Sequence, residues 1–287
     1  METQRYRVGD AVISCVVESE NPGIPTRFFF PEADDEDVKR HAWTIPEFAD
    51  ERGRIVMRVQ AFVVELGGRV VVVDPCVGNG KKRALPFWNE QTWPFLERFA
   101  AAGFAPDRVD VVVHTHLHAD HVGWDTRLAG DVWVPTFARA RHLYTARELD
   151  WAKSTDGPGN AGVYEDSIAP IFAAGLADLV EEEADLGGGL RLEPTPGHTP
   201  GHVSLWVESR GERALLTGDF VHHPVQCAEP HWAEVGDEDA DRARATRRRL
   251  FERAAATRAL VLGTHFASRP GGRIRADGDV WRFEPEG

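Results

Sequence analysis

Four side chains that commonly bind metal ions fall within six residues of one another. They are His116, His118, Asp120 and His121, and they directly follow the apolar run 109–113. The run predicts a buried strand, but alternation along a strand cannot aim all four groups at one point. We therefore expect the chain to turn after the strand, with the four side chains in a loop and the first helical turn. Neutral imidazoles and one carboxylate suit a cation such as Zn²⁺ and leave coordination positions for water.

Other potential ligands stand farther along the chain, each at or just beyond the end of a predicted strand. They are Asp74, His198, Asp219 and His265. Functional side chains are commonly presented by loops on a rigid scaffold, so we expect these groups to converge with residues 116–121 at one edge of a β-sheet core. Asp74 has two interpretations, since its carboxylate could orient a metal-bound imidazole or cap a turn. His114 is interpreted as a buried or turn-bonded histidine.

The elements that must position these residues are strands and helices in mixed order. Alternation predicts a strand centred on residues 12–17 and a hairpin of residues 55–66 and 69–74, joined at Gly67-Gly68. Further predicted strands cover residues 190–194, 203–207, 214–217 and 260–262. Predicted helices cover residues 93–103, 139–153 and 237–256. In the last of these, acids precede arginines, which is the order that the helix dipole favours.

Length and composition are those of a globular protein. The chain has 287 residues, of which 42% are hydrophobic and 28% are charged. No linker divides it, so we predict a single domain over residues 1–287. Within that domain the weakly periodic stretch 21–54 is either an arm, packed on the domain or on a second subunit, or a wall of the substrate pocket.

Charge and sequence features exclude several classes of protein. The net charge of −13 opposes a nucleic-acid partner. No run approaches the ~20 apolar residues of a membrane helix, and the first residues lack the apolar stretch of a signal peptide. The three cysteines, Cys15, Cys76 and Cys227, are too few and too scattered for a disulfide framework. We therefore expect a cytoplasmic protein with reduced thiols and no membrane association.

Taken together, the pattern His116-x-His118-x-Asp120-His121, followed by His198, Asp219 and His265, resembles the metallo-β-lactamase fold superfamily. The resemblance covers about residues 55–270 and includes every ligand position of the two-metal hydrolases of that family. It implies an α/β fold of the metallo-β-lactamase type, a four-layer αββα sandwich with the metals at one edge of the sheets.

The resemblance also implies how the ligands divide between two metal ions. The first ion would be held by His116, His118 and His198. The second would be held by Asp120, His121 and His265, and Asp219 would bridge both. A carboxylate can bridge two cations with its two oxygens, whereas an imidazole normally serves one. The expected cofactors are two divalent ions, with Zn²⁺ first and iron, manganese or cobalt as alternatives, and a hydroxide between them would be a nucleophile at neutral pH.

Residues around the bridging position narrow the branch of the family. The β-lactamases that degrade antibiotics usually have a cysteine where Asp219 stands, and they carry an export signal. Neither feature is found in this sequence, so we disfavour that branch. The best-known acyl-homoserine lactonases have a tyrosine three residues after the bridging aspartate, whereas this chain has His222, which resembles the methyl parathion hydrolase group more closely. His222 could contact the reacting carbonyl or the leaving group, or only support the ligands. The chain thus resembles the branch of lactonases, arylesterases and organophosphate hydrolases.

These features predict a dinuclear zinc hydrolase that opens the ester bond of a lactone or an aryl ester with a metal-bridging hydroxide. Asp120 would help to protonate the leaving oxygen in addition to binding metal, and His222 is the second candidate catalytic residue. The alternatives are a phosphotriester hydrolase on the same site, an iron-dependent oxidoreductase with the same ligands, and a metal-stabilised binding protein. The expected partner is a small-molecule ester or lactone, and the sequence leaves a homodimer open.

Overall fold

The computed structural model describes residues 3–155 and 160–286 of the chain. The strands of these residues, in chain order, are β1 (Arg5–Val8), β2 (Ala11–Ile24), β3 (Ile55–Leu66), β4 (Arg69–Val73), β5 (Val111–Val113), β6 (Thr126–Ala129), β7 (Val132–Pro135), β8 (Arg141–Thr145), β9 (Ala177–Val180), β10 (Asp185–Gly187), β11 (Leu190–Pro194), β12 (Val203–Ser209), β13 (Glu212–Leu216), β14 (Leu260–Leu262), β15 (Gly271–Asp277) and β16 (Val280–Pro285).

The helices of the described residues are mostly short. They are α1 (Thr26–Phe29), α2 (Asp35–Lys39), α3 (Phe95–Ala101), α4 (Ala119–Val122), α5 (Ala146–Ser154), α6 (Ala169–Ala173), α7 (Val225–Ala228) and α8 (Ala240–Thr257), with a π-helical turn at Tyr164–Ile168. The long helix α8 begins at a cap, because the Asp239 side chain accepts a hydrogen bond from the backbone N–H of Arg242. No helix in the described ranges has the length and apolar character needed to cross a membrane.

The described chain forms two compact units, and the first comprises Met1–Ser19 and Val59–Ala184. Its main sheet has the order β1-β2-β3-β4-β5-β8-β9, and β6 and β7 form a separate two-stranded sheet. Strands β3 and β4 are antiparallel, whereas β4, β5 and β8 run parallel. The valines Val71–Val73 and Val111–Val113 are buried, as expected for parallel strands that are covered on both faces.

The hairpin of β3 and β4 confirms the prediction for residues 55–74. Its turn is Gly67-Gly68, and both glycines have positive φ angles, of 61° and 81°. Two central residues with positive φ form the hairpin turn whose twist matches that of the flanking strands. A side chain at either position would strain this turn.

The second unit comprises Glu20–Arg58 and Asp185–Gly287. Its sheet has the order β10-β11-β12-β13-β14-β15-β16, in which only β13 and β14 pair in parallel among the described strands. Helix α8 contributes Leu250, Phe251 and Ala254 to a buried apolar cluster that also contains Trp206 and Leu215 of the sheet. This core fixes the ends of β13 and β14, after which Asp219 and His265 follow.

The prediction of a helix over residues 139–153 is wrong for its first part. Arg141–Thr145 form β8, which pairs in parallel with β5 and β9, and α5 begins only at Ala146. His142 and Tyr144 are buried in this strand, where both contact the Asp125 carboxylate. Polar residues therefore occupy core positions and obscure the pattern of a buried strand. The hairpin β15–β16 has no counterpart among the predicted elements.

The stretch 21–54 contains the end of β2 and the helices α1 and α2, and all of it lies in the second unit. Phe30 packs against Trp232 with ring centroids 5.7 Å apart, and Phe48 belongs to the buried cluster of that unit. These contacts explain why an apolar island such as residues 28–30 stands in a polar stretch. The role of this stretch as an arm or pocket wall, and the single domain over residues 1–287, stay predictions.

Candidate metal centre

The predicted ligand segment of the first unit lies where the sequence indicates. Strand β5 ends at Val113, and α4 begins at Ala119, so His116 and His118 lie in the connecting loop while Asp120 and His121 lie in the helical turn. His116 and His121 are fully buried, and Asp120 is nearly so. The predicted loop and first helical turn are confirmed.

The donor atoms of this segment lie close together. His116 Nε2 is 3.0 Å from His118 Nδ1, and the rings of His116 and His121 have centroids 4.0 Å apart. His121 Nε2 is 3.7 Å from Asp120 Oδ1. Imidazole nitrogens crowded in this way would repel one another if each carried a charge, so neutral rings around a cation suit the arrangement.

Asp74 contacts the ligand segment from the end of β4. Its carboxylate accepts hydrogen bonds from the N–H and the hydroxyl of Thr115, at 2.8 and 2.7 Å. Its Oδ2 atom is 3.1 Å from His121 Nδ1. A negative charge beside Nδ1 favours a proton on that nitrogen and leaves the lone pair on Nε2, which is the form that a metal ligand needs. This geometry favours the first interpretation of Asp74, in which it orients an imidazole.

In the second unit, three imidazoles surround one oxygen of Asp219. The Nε2 atoms of His222 and His265 are each 3.1 Å from Asp219 Oδ2, and that of His198 is 3.6 Å away. All four residues are buried. Candidate ligand atoms of His198, Asp219 and His222 lie within 4.8 Å of one another.

The other ring nitrogens indicate what these imidazoles can bind. His265 Nδ1 is 2.8 Å from the carbonyl oxygen of Arg58, which can only accept, so Nδ1 carries the proton. His198 Nδ1 is 3.1 Å from Asp237 Oδ1, which has the same consequence. In their neutral forms both rings then direct a lone pair from Nε2 towards the Asp219 carboxylate. A cation between these two sets of lone pairs would remove their repulsion, so the donor set fits a metal ion.

His222 differs from its neighbours in its second nitrogen. Its ring stacks on that of His265, with centroids 5.6 Å apart and planes at 6°, and its backbone N–H donates to Gln226 Oε1 at 2.8 Å. Its buried Nδ1 atom has no hydrogen-bond partner among the described residues. With Nε2 facing Asp219 and Nδ1 available, His222 can support the carboxylate or exchange a proton, and both predicted roles remain.

Two acidic residues near these ligands have no signal in the sequence pattern. Glu234 Oε2 is 3.8 Å from His198 Nδ1 and 4.0 Å from His222 Nε2, and burial raises the pKa of Glu234 to about 7. Asp237 contacts His198 as described above. Both residues stand in an irregular loop before α8, where an acidic residue is ordinary surface composition. Only the folded chain brings them to the histidines.

His114 belongs to a separate buried cluster, as predicted. Its Nε2 atom is 2.9 Å from Asp125 Oδ2, and its Nδ1 atom is 3.0 Å from the carbonyl oxygen of Leu143. Asp125 also contacts His142 Nδ1 and accepts a hydrogen bond from the Tyr144 hydroxyl. Burial opposes ionisation, yet the Asp125 charge raises the pKa of His114. An ion pair within a hydrogen-bond network accounts for these distances, and no metal is needed.

Comparison with known proteins identifies the family. Residues 54–265 match the metallo-β-lactamase superfamily, and the chain belongs to it. The "N-acyl homoserine lactonase AttM" of Rhizobium radiobacter is 32% identical over 153 residues, which are 50% of this chain and 53% of that protein. The chain thus spans about half the length of this curated relative.

Solved structures establish the fold. The hydrolase AbOPH, described as a member of the β-lactamase superfamily, superposes with a TM-score of 0.83 at 23% identity and covers 99% of this chain and 97% of its own. AidC, described as a dizinc quorum-quenching lactonase, superposes with a TM-score of 0.80 at 19% identity, with the same coverage. The fold is therefore that of the metallo-β-lactamases, as the sequence predicts. The assignment of the seven predicted ligands to one centre stays a prediction.

Proposed function

We propose that this chain is a dinuclear, zinc-dependent hydrolase that opens the ester bond of a lactone or an aryl ester. The observation that carries the proposal is the arrangement around Asp219, where three Nε2 atoms surround one carboxylate oxygen at 3.1–3.6 Å. Because His198 and His265 have acceptors at Nδ1, their Nε2 lone pairs face that carboxylate. A bound cation removes the repulsion that this geometry otherwise creates.

The proposed ligand set follows the family pattern. One ion would be held by His116, His118 and His198. The other would be held by Asp120, His121 and His265, and Asp219 would be shared between the two. This set leaves positions for water and substrate, unlike a structural site that fills its sphere with four protein ligands. When bound, two such ions supply a water-derived nucleophile at neutral pH and polarise the ester carbonyl.

The residues of the chain then divide the remaining work. Water adds its oxygen to the acyl carbon, the ester C–O bond breaks, and the leaving oxygen takes up a proton. We assign the delivery of that proton to Asp120, whose carboxylate lies beside His121. His222 supports the Asp219 carboxylate through Nε2. Asp74 and Asp237 hold the rings of His121 and His198 in the orientation that presents Nε2.

The choice of a carboxylic ester rests on two supporting observations. A curated relative and a structural neighbour are named as lactonases. The chain also has no Gly-x-Ser-x-Gly motif, so no serine nucleophile of that type competes with water. The proposed substrate is a small molecule, since the acidic chain disfavours nucleic acid.

Phosphotriester hydrolysis is the second candidate, favoured by one feature. His222 stands where the best-known acyl-homoserine lactonases have a tyrosine, in a spacing that resembles the methyl parathion hydrolase group. The same ligands could instead hold iron in an oxidoreductase. Measurements of the bound metal and of the oxygen dependence of turnover distinguish that enzyme from a zinc hydrolase.

The test is a substrate screen with a labelled solvent. The zinc-loaded protein is assayed against lactones, aryl esters and phosphotriesters, with Asp219→Ala as the control for contaminating esterases. We expect turnover of a lactone or an aryl ester, with ¹⁸O from labelled water in the product acid. Turnover of phosphotriesters alone would show that the substrate is a phosphotriester and not a carboxylic ester. A trapped acyl group on a serine or cysteine, or turnover equal in the Asp219→Ala variant, would contradict the proposal.

A further inference from the structure

Glu18 is a buried acid in β2, near the end of the part of that strand that belongs to the first unit. It is far in the sequence from every predicted ligand. Its Oε1 atom accepts hydrogen bonds from the Trp124 indole N–H at 2.6 Å and the Gly78 N–H at 3.1 Å. Its Oε2 atom accepts the Val77 N–H at 2.9 Å. Glu18 is fully buried, and a buried carboxylate is tolerated when it accepts several hydrogen bonds.

The three donors belong to two segments that are already in contact. The loop after β4 accepts two hydrogen bonds from the segment after α4. The Gly123 N–H donates to the Cys76 carbonyl oxygen at 2.6 Å, and the Trp124 N–H donates to the Pro75 carbonyl oxygen at 2.7 Å. A Cβ atom on Gly123 would lie 1.7 Å from the Val77 carbonyl oxygen, so only glycine permits this approach. Glu18 therefore links the Trp124 side chain, in the segment after α4, to the backbone of Val77 and Gly78, in the loop after β4.

Both segments also border the residues proposed to bind one metal ion. Helix α4 carries Asp120 and His121 and runs directly into Gly123 and Trp124. The loop after β4 begins at Asp74, whose carboxylate is 3.1 Å from His121 Nδ1. Asp74 and Cys76 have positive φ angles, of 52° and 47°, which non-glycine residues adopt only when the surroundings hold them. Glu18 supplies that hold at Val77 and Gly78.

The other end of the ligand segment is held by a different acid. Leu117, between His116 and His118, donates its N–H to Glu148 Oε1 at 3.1 Å. Glu148 lies in α5, a different element from the two segments that Glu18 joins. The two halves of the segment 116–121 are thus supported separately, and a change at Glu18 should reach Asp120 and His121 first.

We propose that Glu18 is a positioning residue for the metal ion held by Asp120 and His121. It fixes the loop after β4 and the segment after α4 in one geometry through the bonds to Val77, Gly78 and Trp124. This inference rests on the metal assignment of the proposed function. Outer groups that orient ligands typically change metal affinity by about 10- to 100-fold when they are removed.

A second buried glutamate provides a matched control. Glu193, in β11 of the second unit, accepts the indole N–H of Trp206 at 2.5 Å and pairs with Arg249 and Arg253. It resembles Glu18 in burial and in its indole partner, but its partners Trp206, Arg249 and Arg253 lie in β12 and α8 and not in the segments that adjoin Asp120 and His121. Glu193→Gln therefore reports the cost of disturbing a buried glutamate–tryptophan pair alone.

The experiment compares cobalt binding in four proteins. Wild type, Glu18→Gln, Trp124→Phe and Glu193→Gln are stripped of metal and titrated with Co²⁺, which is followed by visible absorption. Thermal unfolding of the metal-free proteins is measured by circular dichroism. We expect Glu18→Gln to bind one of two ions about 10-fold more weakly and the other within twofold of wild type. Trp124→Phe keeps an aromatic ring beside Phe95 but loses the indole N–H, so we expect a several-fold loss at the same ion.

The control separates positioning from general stability. Glu193→Gln should lower the unfolding temperature of the metal-free protein yet keep both cobalt affinities. Wild-type affinities in Glu18→Gln, or equal weakening of both ions, would overturn the inference. If Glu18→Gln does not fold, unchanged cobalt binding by Trp124→Phe overturns it instead. A wild-type protein that binds no cobalt would overturn the proposed function and this inference together, whereas two ions in wild type with unaltered variants overturn only the inference.

Discussion

The first unit takes its four predicted ligands from one segment, 116–121, whereas the second takes His198, Asp219 and His265 from three separate loops that follow strands. In the first unit a single turn between β5 and α4 brings the donors together, so local geometry decides their spacing. In the second unit the donors meet only because the sheet brings the ends of β11, β13 and β14 to the same edge, with the antiparallel strand β12 between β11 and β13. Asp219 is the residue on which that second arrangement centres.

The two units also support their ligands differently. The first uses buried carboxylates, Asp74 beside His121 and Glu18 on the adjoining loops. The second also has such a carboxylate, Asp237 beside His198, and adds the fully buried Arg247. The Arg247 guanidinium donates to the carbonyl oxygens of Phe220, Pro230 and Trp232, which lie between Asp219 and Asp237 in the chain. A ligand that stands alone on its loop has no neighbouring ligand to compensate for its loss. We therefore expect substitutions in the second unit to cause the largest losses of metal and of kcat.

The largest effect is expected for Asp219→Ala. Three imidazoles face this carboxylate, and both proposed ions share it, so the variant should lose both metals and at least ~10³-fold in kcat. Elemental analysis and steady-state kinetics check this result. The control is Asp241→Ala, because that side chain is 95% exposed. A variant that keeps two metals per chain would show that Asp219 is not shared.

His265→Ala should affect one ion more than the other. His265 is the ligand proposed for the second ion only, and its Nδ1 atom is fixed by the Arg58 carbonyl at 2.8 Å. We expect about one retained metal per chain and a loss of ~10²-fold in kcat, measured on the same preparations. Equal loss of both ions would mean that the division of ligands between the two metals is different.

Lys81 tests how the first unit tolerates a buried charge away from the ligands. Burial lowers the pKa of Lys81 to about 8, although Asp166 opposes this shift. Between pH 8 and 10.5 the unfolded chain binds the proton more tightly, so the stability of the folded protein rises with pH in this window. Relative to Lys81→Met, wild type should gain about 2 kcal/mol in unfolding free energy from pH 7 to pH 10.

Urea unfolding of the metal-free proteins at several pH values measures this difference. The matched control is Lys82→Met, since Lys82 is exposed. Its difference from wild type should stay nearly constant over the same range. A Lys81→Met curve parallel to that of wild type would show that the lysine is not disfavoured by burial.

The smallest effect is expected at His222. If His222 only supports Asp219, replacement by alanine or tyrosine should lower kcat about tenfold, near 1.4 kcal/mol, with metal content intact. If it donates to the reacting carbonyl, the loss should reach ~10²–10³-fold in kcat. Kinetics and metal analysis of the two variants decide between these roles.

The sequence predicts those features that depend on local pattern. The hairpin of β3 and β4 is predicted nearly to its ends because alternation and Gly67-Gly68 are both local signals. The strand β8 was missed because His142 and Tyr144 are polar residues that the core accepts only through Asp125. Its parallel partners, β5 and β9, are distant in the chain, so no local sequence pattern predicts that β8 pairs with them.

The same division holds for the site. The segment 116–121 and the residue three positions after Asp219 are visible in the sequence because their spacing is short. Glu18, Glu234 and Asp237 are not visible, since each reaches its partner only through the tertiary fold. An isolated acid in a strand or an irregular loop carries no signal by itself.

The proposed two-metal centre is tested most directly by the metal content of the protein. The purified protein is loaded with zinc, dialysed to remove loosely bound ions and analysed for zinc and protein on the same sample. The seven proposed ligands predict close to two zinc ions per chain in wild type. A carefully loaded wild type that never exceeds one ion per chain would contradict the account.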